Sequence, residues 1–205
     1  AKDRFEELLG EIARAKDASR MTSRYSRSLA AGLRALCEAD DFENLQGDRK
    51  GDVLAIAAGH QTPMLHSEGL EWTLPHEGVA MYHRYAERKL AAAVEGEQAG
   101  SMMLFGLGKL HQQMAARLDN VPQAMRKGLT FHRAAVLTHG GNHLAANEAG
   151  VLLARAGRYA QARPWLEQAA VQSQSSVTYR NLAHVCQKMG DAPLAQQHDM
   201  HAHQL

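Results

Sequence analysis

The sequence predicts an all-α protein, and three observations support that prediction. Ala occurs 35 times and Leu 24 times among the 205 residues, whereas Val and Ile together occur 11 times. Ala and Leu favour helices, while β-branched residues favour strands. Only five prolines interrupt the chain, which leaves room for long helices. From about residue 77 onward, segments with helical hydrophobic spacing follow one another with short breaks.

The composition also excludes several classes of protein. No apolar run approaches the roughly 20 residues that a membrane helix needs. The two cysteines, Cys37 and Cys186, are too few for a disulfide framework or a zinc cluster. With 23 basic and 22 acidic residues, the chain has no overall charge that favours nucleic acid. We therefore expect a cytoplasmic protein with no integral membrane segment, no nucleic-acid partner and no cofactor.

Residues 1–76 predict an atypical N-terminal helical region. Phe5, Leu8, Leu9 and Ile12 share one face of the first helix. In chain order the predicted segments are a helix over 4–18, a helix over about 20–38 with a break near 22–23, and a polar loop over 40–52. They continue with a short apolar segment over 53–59, which fits a buried helix better than a strand, and an irregular connection over 60–78 in which Trp72 could be the anchor.

Residues 77–205 predict a regular series of helices. The breaks between them are short and contain Gly, Asn, Asp or Pro. Consecutive antiparallel helices with such turns form hairpins, and stacked hairpins form a solenoid. The predicted helices cover 78–96, 99–118, 122–138, 143–156, 159–173, 176–189 and 192–203.

An internal repeat lies in the last third of the chain. When 147–162 is aligned with 180–195, Gly150 falls on Ala183 and Gly157 falls on Gly190. Small residues at the first position let two helices approach closely. The glycines at the second position follow a helix and suit a left-handed C-terminal cap. We therefore predict that Gly150 and Ala183 are buried where two helices cross.

With these residues the chain resembles the tetratricopeptide repeat family, whose period is about 34 residues of helix–turn–helix. Gly150, Gly157, Tyr159 and Ala162 match family positions in the first unit, and Ala183, Gly190 and Ala195 match them in the second. The resemblance is clearest over 143–195 and degenerate over about 86–142. It implies a right-handed α-solenoid of antiparallel helix hairpins over 77–205, with residues 1–76 as an irregular N-terminal helical cap.

The resemblance also implies a partner-binding surface. In such an array the first helix of each hairpin lines the concave side, where an extended ligand binds. The corresponding positions mix apolar, polar and basic side chains. The partner-binding residues implied in this way are Met102, Phe105, Lys109, Asn147, Val151, Arg180, His184 and Gln187.

The expected function is a non-catalytic scaffold that binds a peptide segment or a partner protein through this concave face. Two alternatives stay open. The array could pack against copies of itself, or it could be the regulatory part of a larger enzyme or complex. An enzymatic reading finds little support, because neither Gly106-Leu107-Gly108 nor Gly140-Gly141 follows a predicted strand, as a phosphate-binding loop would require.

Three further features of the sequence bear on function. His198 and His201 could share a metal ion at the C-terminal helix, although frayed helix ends orient ligands poorly. Cys37 is expected to be a buried, inert thiol. A basic face on the second helix could contact an acidic partner, a phosphate or a membrane surface, or could simply be solvated; it consists of Arg20, Arg24, Arg27 and Arg34.

Overall fold

The computed structural model describes residues 1–42, 50–63, 74–117 and 121–205, and all regular secondary structure in these ranges is helical. This confirms the all-α prediction. The helices are α1 Lys2–Ser19, α2 Arg24–Glu38, α3 Lys50–Ala57, α4 Pro75–Ala93, α5 Gln98–Ala115, α6 Val121–Thr138, α7 His143–Arg155, α8 Tyr159–Gln172, α9 Ser176–Lys188 and α10 Ala192–Gln204. None of these helices is long and apolar enough to cross a membrane.

The predicted boundaries differ most from the structure between α2 and α4. Part of the expected loop at 40–52 is a 3-10 turn over Ala39–Phe42, and the Phe42 ring is buried. Helix α4 begins at Pro75, three residues earlier than predicted. Proline suits a first helical turn because its missing N–H needs no partner there, and Glu77 Oε2 accepts a hydrogen bond from the Leu74 backbone N–H at 2.8 Å. Trp72 lies outside the described residues.

The helices from α5 to α10 pack in chain order. Each one contacts the next, and α7 also contacts α9. The N-terminal helices pack on the α5–α6 hairpin, with α1 against α5 and α4 against α6, while α2 lies against α1 and α4. Gly106 permits the approach of α1, because a Cβ there would lie 2.6 Å from Cε1 of Phe5.

One core cluster includes residues from both sides of the boundary expected near residue 76. It runs from Leu9 on α1 to Ala169 on α8. A smaller cluster, which includes Leu166 and Leu182, joins α7, α8 and α9, and the Trp165 ring packs against both clusters. The division into 1–76 and 77–205 stays a prediction.

The repeat glycines behave as the sequence indicated. Gly157 has a φ of +72° and follows the C-terminus of α7, and Gly190 has a φ of +83° and follows the C-terminus of α9. That conformation is strained for residues with a side chain. Gly150 and Ala183 are both buried, as predicted, and a Cβ at Gly150 would lie 2.5 Å from Cγ of Leu166 on α8.

Asn142 links three helices at the start of α7. Its Oδ1 accepts from the Ala145 backbone N–H at 3.0 Å, and its Nδ2 donates to Ser101 Oγ at 2.8 Å. The Ser101 hydroxyl in turn donates to the carbonyl oxygen of Ala135 at 2.7 Å. All of these contacts are buried, so none is easily replaced by water.

We therefore expect Asn142→Ala to lower the free energy of unfolding by about 1–2 kcal/mol, because it removes a helix cap and leaves Ser101 without its donor. Urea denaturation followed by circular dichroism measures this loss. Gln174→Ala, at an exposed position in a turn, is the control. A stability of Asn142→Ala equal to that of the control would contradict the structural role.

Candidate partner-binding surfaces

The eight partner-binding residues implied by the resemblance lie on three helices. Those on α5 are Met102, Phe105 and Lys109, those on α7 are Asn147 and Val151, and those on α9 are Arg180, His184 and Gln187. Each is at least partly exposed. We call these residues the α5/α7/α9 surface.

Asn147 on α7 and Asn181 on α9 connect these two helices. Asn181 Nδ2 donates to Asn147 Oδ1 at 3.0 Å. Among the described residues, nothing accepts a hydrogen bond from Asn147 Nδ2, so that group remains available to a ligand. The exposed Arg180 guanidinium has no carboxylate within 4 Å in the described part of the chain. This portion of the surface therefore offers unsatisfied donors.

Lys109 already has a counter-ion. Its Nζ lies 3.0 Å from Glu148 Oε1, and Gln112 Nε2 donates to Glu148 Oε2 at 2.9 Å. Burial opposes ionisation of Glu148, but these two hydrogen bonds and the charge of Lys109 outweigh it, so the Glu148 pKa lies below its usual value. Lys109 is consequently less able to attract a ligand carboxylate than its sequence position indicated.

The aromatic positions of this surface are partly used inside the protein. Phe105 packs against the main core cluster, with its ring centroid 5.5 Å from that of His132. The exposed His184 meets the Tyr159 ring edge-on at 6.4 Å. Both side chains therefore form walls of the surface with restricted orientations.

The sequence did not predict a second surface. An open cleft of about 1390 Å³ lies between α4, α6 and the turn that joins α7 to α8. Five arginines line it, and we call it the arginine cleft. They are Arg84 on α4, Arg126 and Arg133 on α6, and Arg155 and Arg158 beside the α7–α8 turn. No sequence pattern marks them, because they come from separate segments.

The two carboxylates in the cleft are both engaged. Glu77 accepts from the Leu74 N–H, and Glu87 Oε2 lies 3.2 Å from Arg133 Nε in an ion pair without hydrogen-bond geometry. The Arg133 guanidinium also lies 5.5 Å from the Trp165 ring centroid. Burial raises the pKa of Glu87 in spite of the neighbouring arginines. Three further guanidiniums of the cleft have no carboxylate within 4 Å in the described ranges; they belong to Arg84, Arg155 and Arg158.

His83 lines the same cleft, and its ring nitrogens are buried. The Thr130 hydroxyl donates to the carbonyl oxygen of Arg126 at 3.1 Å, so its oxygen accepts from His83 Nδ1–H at 2.7 Å. Burial, together with the charges of Arg126 and Lys127, lowers the His83 pKa to about 3. The ring is therefore neutral with a lone pair on Nε2, and that buried atom has no hydrogen-bond partner within the described ranges.

The remaining sequence candidates lie elsewhere. Cys37 is exposed, so the expectation of a buried thiol was wrong. Cys37 lies on α2, and a different face of α2, which includes Gly32 and Leu36, packs against α4. Arg20 and Arg24 lie over the Tyr25 ring, with centroid distances of 5.6 and 5.9 Å.

The C-terminal histidines surround an aromatic ring. The His201 ring centroid lies 4.3 Å from that of Tyr179, and the His198 centroid lies 5.9 Å from it. Within the described ranges, no three His, Cys, Asp or Glu side chains come together as a metal site would require.

Comparisons with protein-family models, with curated proteins and with solved structures gave no match to this chain.

Proposed function

We propose that this chain is a non-catalytic scaffold, a tetratricopeptide-like α-solenoid that binds a peptide segment or partner protein through the α5/α7/α9 surface. The observation that carries the proposal is the contact between α7 and α9 through Asn181 and Asn147. It brings the first helices of two successive hairpins side by side, as a groove for an extended ligand requires.

The chemistry of the surface supports a peptide ligand. Asn147 Nδ2 can donate to a peptide carbonyl, and Arg180 can form a forked pair with a carboxylate. Phe105 offers an apolar wall for a hydrophobic side chain. Binding energy at such interfaces is concentrated in a few residues, and Asn147 and Arg180 each occupy the fifth position of their helix, α7 and α9.

We expect Asn147→Ala and Arg180→Ala each to weaken binding of a selected peptide by about 1 kcal/mol, roughly a fivefold rise in Kd, without loss of helix content. Peptides selected from a displayed random library would supply the ligand, and fluorescence anisotropy would measure the Kd. The effect of Arg180→Ala should shrink in high salt because this contact is exposed to solvent.

The matched controls are Gln197→Ala and Arg14→Ala, at exposed positions of α10 and α1. Both should bind the peptide as the unchanged protein does. Normal binding by Asn147→Ala and Arg180→Ala, together with loss of binding when Arg20, Arg24, Arg27 and Arg34 are replaced, would refute the proposal. The binding surface would then lie on the N-terminal helices.

A further inference from the structure

The arginine cleft holds an excess of positive charge that the protein itself does not use. Both of its carboxylates have partners, whereas Arg84, Arg155 and Arg158 have no carboxylate within 4 Å in the described part of the chain. Guanidinium groups that converge on one opening attract carboxylates and pair with them through two parallel hydrogen bonds. The charge therefore indicates an anionic occupant.

Other features of the cleft distinguish an acidic peptide from a small anion. Its volume of about 1390 Å³ exceeds the roughly 300–1,000 Å³ of ordinary small-molecule pockets. Its apolar lining could take aliphatic side chains, and includes Val79, Met125, Leu129, Leu152 and Leu153.

We propose that the arginine cleft binds an extended segment of a partner protein in which acidic and aliphatic residues alternate. Acidic side chains would pair with Arg84, Arg155 and Arg158, and aliphatic ones would pack on the apolar lining. This site shares no residue with the α5/α7/α9 surface, so either proposal can fail while the other holds.

The test uses a short fluorescent peptide in which Glu and Leu alternate, with a Gln-for-Glu peptide as its matched control. Anisotropy titrations of the whole chain should show binding of the acidic peptide that weakens as salt is raised. The Gln peptide should bind at least about tenfold more weakly, because it cannot form charged pairs with the arginines.

The decisive variant is the double substitution Arg155→Gln and Arg158→Gln. Both side chains are exposed and bond to nothing in the described structure, so the fold should survive, as circular dichroism would verify. We expect about a tenfold rise in Kd for the acidic peptide. The double variant Arg14→Gln and Arg117→Gln removes the same charge from exposed sites outside the cleft, and should bind normally.

Three results would overturn the proposal. The first is equal binding of the acidic peptide by the two double variants, and the second is equal binding of the Gln and Glu peptides. The third is displacement of the peptide by inorganic phosphate or a single-stranded RNA added at a concentration equal to the peptide's Kd. The last result would identify a general anion site. Arg180→Gln separates the two proposals, since it should leave binding to the arginine cleft unchanged.

Discussion

The protein should lose stability steeply as the pH falls below about 6.5, the usual pKa of histidine. Burial is the main cause that lowers the pKa of four histidines in the folded state, and the shift is large for three of them. The His83 pKa falls to about 3, and those of His111 and His132 fall to about 4. All three rings are buried, and neither nitrogen of His132 has a hydrogen-bond partner among the described residues.

The sign follows from proton binding. Near pH 5 the unfolded chain binds a proton on each of these rings, while the folded protein binds almost none. Unfolding therefore takes up about three protons, and the free energy of unfolding should fall by up to about 4 kcal/mol per pH unit in this range. Glu87 offsets part of the loss, because its raised pKa lets the folded state bind a proton first.

Urea denaturation at a series of pH values measures this slope, and His132→Leu tests its cause. That variant removes one of the three rings with a large shift, so its slope should be smaller by about a third. His203→Leu, at an exposed position near the end of α10, is the matched control and should keep the original slope. An identical slope for both variants would mean that His132 does not contribute.

Gly150→Leu should be strongly destabilising. A Cβ at Gly150 would lie 2.5 Å from Cγ of Leu166 and 3.2 Å from the carbonyl oxygen of Ala162, both on α8. The backbone oxygen cannot move without its helix, so a leucine would force α7 and α8 apart. We expect a loss of about 3 kcal/mol or more, and a Tm lower by roughly 6–12 °C.

Thermal unfolding followed by circular dichroism provides the measurement. Ala160→Leu introduces the same side chain at an exposed position of α8, and should change the Tm little. If Gly150→Leu instead melted at the temperature of the unchanged protein, the close approach of α7 and α8 at this residue would be wrong.

The sequence alone predicted most of the helices, because local properties determine them. Ala and Leu set the helical preference, and the spacing of apolar residues marked α1, α2 and α4 to α10 to within a few residues. Gly157 and Gly190 indicated two helix ends, because the left-handed conformation there excludes most other residues. The 33-residue offset between Gly150 and Ala183 predicted their burial, because a close approach of two helices requires a small residue.

The surfaces depended on contacts between residues far apart in the chain, and these only the tertiary structure decided. The arginine cleft contains side chains from α4, α6 and the α7–α8 turn, so no spacing of residues within one segment predicts it. Glu148 neutralises Lys109 from another helix. The exposure of Cys37 depends on which face of α2 packs against α4. Helix formation is governed by neighbours in sequence, whereas the charge and exposure of a surface are governed by neighbours in space.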